Sequence, residues 1–155
     1  MEMATSEAAE GVSERLGADH RRLDDLLAET KRVWADGDPE TARRRFHAFR
    51  EGLERHIEVE ERVLFPAFET LTGTTPDGPT AGLRMEHREL RKLLAEVAVQ
   101  LEEAPPAGRA PVLPVLEARL AAHNDIEERR VYPTVDRLAR KTGALANLVH
   151  RLAMF

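Results

Sequence analysis

The stretch that decides the fold is HIEVEERVLFP, residues 56–66, because the chain carries it twice. At an offset of 67 positions, residues 123–133 read HNDIEERRVYP. The same offset relates DHRRL at 19–23 to EHREL at 86–90. A helix–helix pair with one histidine in its first helix and an H-x-x-x-E pattern in its second is therefore repeated.

Apolar residues recur at helical spacing through four long segments, as in the series Leu16, Leu23, Leu27 of the first. The segments are separated by DGDP (36–39), TGTTPDGP (72–79) and APPAG (104–108), which carry turn-forming residues. No sustained alternation predicts a strand. We therefore expect an all-α fold, an up-down-up-down four-helix bundle with a short extra C-terminal helix. Ser13 is the expected N-cap of the first helix, and Pro66 should kink or end the second.

These breaks predict a domain organisation of three parts. Residues 1–12 are small and acidic and are expected to form a disordered tail. Residues 13–141 form the bundle, as two helix pairs related by the 67-residue repeat. Residues 142–155 form the short C-terminal helix.

Composition excludes several classes of protein. The chain has 155 residues, no cysteine and a net charge of −5, so disulfides, thiolate metal sites and a basic nucleic-acid surface are not expected. No signal-peptide pattern opens the sequence, and no apolar run reaches the roughly 18–20 residues of a membrane span. A cytoplasmic protein without nucleic-acid or membrane partners is the expectation, and its oligomeric state is left open.

The four-residue spacing places the histidine and the glutamate of each motif on one face of a helix, one turn apart. Apolar neighbours such as Leu53 and Val63 turn that face inward, and leucines do the same for the histidines of the other two helices. Burying unpaired carboxylates is costly, and a cation relieves that cost. The residues predicted to converge on a metal are His20, His56, Glu60, His87, His123 and Glu127.

Six ligands exceed the needs of one ion, so two ions fit the repeat better. His20 would pair with His56, His87 with His123, and the two glutamates would bridge. Nitrogen and oxygen donors without sulfur suit iron, manganese or zinc. The alternative is that each histidine is an ordinary hydrogen-bonded core residue, which is the usual reading for any one of them alone. His47 and His150 fall outside the repeated set and are expected on the surface or in packing.

These motifs resemble the hemerythrin-like, or HHE cation-binding, family, over about residues 13–140. The resemblance implies a four-helix bundle around two non-heme iron ions with a bridging oxo, hydroxo or water. Oxygen-carrying hemerythrins have a further histidine where this chain has Arg91, and they space the last histidine and carboxylate by five residues, whereas His123 and Glu127 are four apart. Reversible dioxygen carriage is therefore not the expected role.

The first hypothesis is a di-iron protein that turns over a small oxidant, with catalase-like use of peroxide as first choice. The alternatives are a non-catalytic module that senses or binds dioxygen, nitric oxide or iron, and iron–sulfur-cluster repair under nitrosative or oxidative stress. No catalytic residue is assigned. Asp24 and Arg91, equivalent in the repeat, are candidates to approach the edge of the centre, where Arg91 could contact an anion or peroxide. Four acids are candidate partners of the ligands, although most are expected to be ordinary surface acids: Asp19, Glu61, Glu86 and Glu128.

Overall fold

The computed structural model of the chain describes residues 10–104 and 108–155. Within these residues the protein is a helical bundle without strands. The helices are α1 (Val12–Ala35), α2 (Pro39–Val59), α3 (Phe65–Thr72), α4 (Pro79–Glu103), α5 (Val112–Ile126), α6 (Tyr132–Thr142) and α7 (Leu145–Leu152), with π-helical segments π1 (Glu60–Leu64) and π2 (Glu127–Val131). Among the described residues, no helix combines the length and the apolar character that a bilayer crossing needs.

The repeat determines how the helices pack. α1 packs against α2, and α4 packs against α5. The two pairs meet mainly through α2 with α4 and through α6, which packs against both α1 and α3. The alternating up-down-up-down direction of the four long segments stays a prediction from their short connections. The predicted break at 72–79 lies between α3, which ends at Thr72, and α4, which begins at Pro79. α4 ends at Glu103, just before the predicted break at 104–108, of which residues 105–107 lie outside the described residues.

Of the two outcomes expected of Pro66, it does not end the second long helix, and a kink there stays a prediction. The chain passes from α2 through π1 into α3, and Pro66 lies in the first turn of α3. At the end of π1, the amide of Phe65 donates to the carbonyl of Glu60, five residues back. A first-turn position needs no amide hydrogen, so the π turn lets the helix continue through proline. Pro133 follows π2 in the same way.

Ser13 is not the N-cap of α1. The helix begins at Val12, which the sequence had placed in the tail and which is fully buried. A residue far along the sequence satisfies its N-terminal amides: the Asp136 carboxylate of α6 accepts hydrogen bonds from Val12 N at 2.7 Å and from Ser13 N at 3.1 Å. Gly11 fits this contact, since a Cβ there would lie 2.8 Å from Asp136 Oδ1. The rest of the predicted tail, residues 1–9, lies outside the described residues.

Two apolar clusters lie along the bundle, one on each side of a buried polar layer. The first is closed against that layer by four leucines that the repeat relates in pairs: Leu23 with Leu90, and Leu53 with Leu120. Each of them is at most 2% exposed. The second cluster contains Phe65 and Tyr132, which are also repeat partners, and the apolar face of α7. The polar layer between them is therefore cut off from water along the bundle axis.

The distant cap gives a prediction for stability. We expect Asp136→Ala to lower the free energy of unfolding by about 1–3 kcal/mol, because two buried amide groups lose their acceptor. Ser13→Ala should lower it by less than about 0.5 kcal/mol, as for a surface substitution. Urea denaturation followed by circular dichroism measures both changes. Equal losses in the two variants would contradict the assignment of the cap to Asp136.

Candidate metal centre

The polar layer holds all six residues that the repeat singled out. The four histidines come one from each long helical segment, and Glu60 and Glu127 are the first residues of π1 and π2. The histidines are at most 3% exposed and the two glutamates are fully buried. The glutamate of each H-x-x-x-E motif is therefore the first residue of a π-helical segment. Such segments are often found at functional sites.

The six side chains form two overlapping groups of four. One comprises His20, His56, Glu60 and Glu127, and the other comprises His87, His123 and the same two glutamates. In each group one nitrogen or oxygen from every residue lies within 4.8 Å of the others. Two clusters that share two carboxylates are suited to metal cations.

Each histidine also contacts a carboxylate through its outer nitrogen, Nδ1. The distances from Nδ1 to the acid oxygen are 2.8 Å for His56 with Asp19, 2.6 Å for His123 with Glu86, and 3.0 Å both for His20 with Glu128 and for His87 with Glu61. The expectation that most of these acids are ordinary surface residues was wrong. The signal was present in the sequence, because the repeat relates Asp19 to Glu86 and Glu61 to Glu128.

These outer contacts fix the tautomers. A carboxylate only accepts hydrogen bonds, so each Nδ1 carries a proton, and any ring that is neutral presents a lone pair at Nε2. Yet the Nε2 atoms face one another in pairs, at 3.0 Å between His20 and His56 and 3.1 Å between His87 and His123. Two lone pairs at that distance repel unless a cation lies between them. The inner nitrogens are thus oriented as metal donors are.

The carboxylates show the same deficit of positive charge. Burial and the neighbouring Glu60 carboxylate raise the pKa of Glu127 well above its usual value, while His56 holds the pKa of Glu60 well below its own despite burial. Within the described part of the chain, Oε2 of Glu127 has no hydrogen-bond partner. A buried carboxylate oxygen without a partner is rare, and a metal ion would satisfy it.

The histidine pair nearest Glu60 is strongly polarised. Burial opposes a charge on His56, but the carboxylates of Glu60 and Asp19 raise its pKa to about 10. Burial and the adjacent His56 lower the pKa of His20 to about 4. One ring of this pair therefore binds a proton in the position where a cation would be expected.

Tyr132 is the residue of the centre that the sequence reasoning missed. Its hydroxyl donates to Glu60 Oε2 at 2.7 Å and lies 3.2 Å from Glu127 Oε1 and 3.1 Å from His20 Nε2. Burial and the two carboxylates raise the pKa of Tyr132 well above its usual value, so the phenol keeps its proton. Its position within the repeated V-Y-P and L-F-P motifs was the available signal.

The repeat partner of Tyr132 is Phe65, so the two halves of the centre differ. The Phe65 ring stacks on His87, with centroids 5.4 Å apart and planes 16° apart. One pair of histidines thus has a hydroxyl beside it, and the other has an apolar ring.

Arg91 and Asp24 lie outside the buried layer. Arg91 is half-buried and contacts Glu54 at 3.0 Å and Glu61 at 3.5 Å, so it reaches His87 only through Glu61. Arg22 pairs in a similar way with Asp19, the partner of His56, at 2.8 Å. Asp24 is exposed near Glu128, and partial burial together with that like charge raises its pKa. His47 and His150, the histidines outside the repeated set, are both exposed.

A family comparison agrees with this geometry. The model of the hemerythrin HHE cation-binding domain matches residues 11–135. No curated protein and no solved structure was found to match the chain. The family match spans both H-x-x-x-E motifs, both single-histidine helices and the whole of the buried polar layer. The chain belongs to the hemerythrin HHE cation-binding domain family.

Proposed function

We propose that the chain is a di-iron protein whose centre binds a small oxidant and turns over peroxide. The observation that carries the proposal is the sharing of Glu60 and Glu127 by two four-residue groups. Two carboxylates common to two histidine pairs suit a two-ion cluster better than one ion. Nitrogen and oxygen donors without sulfur are compatible with iron, and the family resemblance favours it.

In this proposal His20 and His56 hold one ion, and His87 and His123 hold the other. Glu60 and Glu127 would be shared by both ions, and the family resemblance implies an oxo, hydroxo or water oxygen between them. The facing Nε2 atoms and the unpaired Glu127 Oε2 support this ligand set. The four outer carboxylates hold each ring in the required tautomer and orientation.

When bound, two redox-active ions would supply two electrons to one peroxide, which takes up two protons to give two waters, and would recover two electrons from a second peroxide. The second peroxide would lose two protons and leave as dioxygen. The protein would contribute positioning and proton control. The Tyr132 hydroxyl can turn from Glu60 to donate to an oxidant in the polar layer. Phe65 and the four leucines keep bulk water out.

A second candidate is a binding module without turnover, for dioxygen, nitric oxide or iron itself. The burial of all six central residues favours it, because a closed site slows the exchange of substrate and product. Tyr132 would then hold the bound molecule rather than deliver a proton to it. Peroxide reactivity separates this candidate from the enzyme.

The ligand set predicts the metal content of variants. We expect two iron ions per chain in the iron-loaded protein and the loss of at least one ion in His56→Ala and in His123→Ala, because each removes one donor. His47→Ala is the matched control, since His47 is 73% exposed and its one ion pair among the described residues is with Glu51. Elemental analysis with the absorption spectrum measures the outcome. Two ions retained in both central variants would refute the assignment.

Peroxide turnover predicts dioxygen evolution from the iron-loaded protein. Tyr132→Phe should reduce the rate by about tenfold or more, since it removes one positioned donor. The zinc-loaded protein is the control, because zinc takes similar ligands but has no redox chemistry. An oxygen electrode gives the rates. Fully loaded iron protein that releases no dioxygen would leave the binding module as the better account.

The outer carboxylates predict a graded effect on metal affinity. Asp19→Asn should weaken metal binding by about 10–100-fold, as other outer-layer substitutions do. Arg91→Gln should weaken it by about twofold to fivefold, because it releases Glu61 without touching a histidine.

Two controls match these changes. Asp24→Asn removes an acid in the same helix that makes no hydrogen bond or ion pair with a histidine among the described residues. Arg62→Gln breaks an exposed pair with Glu58, at 3.1 Å, in which neither residue pairs with a central histidine. Competition with a coloured chelator measures all four affinities. If the controls lose as much affinity as Asp19→Asn, the outer hydrogen bonds do not hold the ligands.

A further inference from the structure

The short helix α7 covers a groove at one end of the bundle. It packs against α6 and π1, and its side chains at spacing i, i+3, i+7, Leu145, Leu148 and Leu152, are buried. Leu152 belongs to the same buried apolar cluster as Leu16 of α1 and Val59 of α2. The chain's own C-terminal helix therefore shields these apolar residues from water.

The repeat predicts a second groove of the same construction. The 67-residue offset relates Leu16 to Leu83, Val59 to Ile126 and Leu64 to Val131. It also relates Phe68 to Val135, which belongs to the same buried cluster as Leu16 and Val59. Leu83, Ile126, Val131 and Phe68 do lie together, around an open groove of about 420 Å³. We call this the α4–π2 groove. Its other lining residues include Pro79, Glu86, Arg130 and Thr134.

No helix among the described residues covers the α4–π2 groove. The two grooves differ in the exposure of one pair of repeat-related residues: Val59 is 6% exposed and Ile126 is 40% exposed. Leu83 and Val131, which are 7% and 5% exposed, form the floor of the groove, so Ile126 is the side chain there that is open where its repeat partner is covered.

Charge distinguishes the open groove from the covered one. Arg130 stands where the covered groove has Val63, and Thr134 stands where it has Ala67. Arg130 is exposed and makes no ion pair with the described residues, whereas the adjacent Arg129 pairs with Asp125 at 2.9 Å. An occupant of the α4–π2 groove should therefore carry a carboxylate opposite Arg130.

A second copy of the chain does not meet this requirement. Its α7 contains His150 and Arg151 but no acid, so it would bring like charge towards Arg130. Each chain also has one such helix for two grooves, so an exchange between copies would uncover the first groove in order to fill the second.

We propose that the α4–π2 groove docks an amphipathic helix of another protein, with apolar residues at i, i+3 and i+7 and an acidic residue facing Arg130. Helix-in-groove recognition uses this spacing. The groove wall includes Glu86, which accepts from His123 Nδ1 at 2.6 Å, so the docked helix lies next to an outer hydrogen bond of the centre. The inference does not depend on the proposed function.

The probe is a stapled helical peptide that copies residues 144–155 with Val149→Glu. Val149 is a partly buried edge residue of α7, so this change adds an acid beside the apolar face without removing the three leucines. The comparison peptides are the unchanged copy and a copy with Val149→Glu and Leu148→Lys. The target is the full chain with labelled isoleucine, leucine and valine methyl groups, observed by NMR.

We expect saturable shifts at Leu83, Ile126 and Val131 with the acidic peptide, weaker binding of the unchanged copy and none of the Leu148→Lys peptide. Ile126→Lys in the chain should weaken binding by about tenfold or more, and Arg130→Gln by about twofold to fivefold. Arg129→Gln is the matched control and should bind as the unchanged chain does. Circular dichroism checks that each variant folds.

Four results would overturn the proposal. The first is an absence of shifts, and the second is shifts at Leu16 and Val59, where the peptide would merely displace α7. The third is a dependence of the Ile126 signal on protein concentration without peptide, which would make a second copy the occupant. The fourth is a change of the same signals when residues 1–9 are deleted, which would make the chain's own N-terminal segment the occupant.

Discussion

The buried carboxylates of Glu60 and Glu127 constrain the rest of the structure. An ionised carboxylate without compensation costs several kcal/mol in an apolar interior, and here two carboxyl groups lie in one layer with four imidazole rings. The inner nitrogens face one another at 3.0 and 3.1 Å because acids on the outer side hold their protons at Nδ1. Two cations between these donors would neutralise the carboxylates, separate the lone pairs and satisfy the free oxygen of Glu127 at once.

The π segments show how the helices adapt to this layer. Each begins at the glutamate of an H-x-x-x-E motif and ends just before the aromatic residue and proline that follow. The wider turn accommodates a proline without ending the helix and brings Phe65 and Tyr132 to the centre from the two halves. A regular helix through these residues would require the amide hydrogen that proline lacks.

Departures from the repeat are informative because the repeat is otherwise so regular. Tyr132 opposite Phe65 gives one histidine pair a hydroxyl and the other an apolar neighbour. Arg22 and Arg91 support two of the four outer acids, whereas the repeat positions of these arginines are Glu89 and Asp24. Arg130 in place of Val63 gives one groove a charge that has no ion pair among the described residues. The two halves have the same central residue types but differ in the neighbour of the histidine pair, in the arginines that pair with the outer acids, and in the groove that α7 covers.

The sequence by itself determined the helical class, the repeat and the six central residues, because helical spacing fixes which residues share a face within one helix. It also contained the outer acids, although the offset that pairs Asp19 with Glu86 does not say which histidine each of them meets. Only the tertiary structure decided that Asp19 contacts His56, that Asp136 caps α1 across 124 residues and that Tyr132 enters the centre. These are contacts between helices, and they depend on the relative rotation and height of packed helices, which periodicity within one helix does not specify.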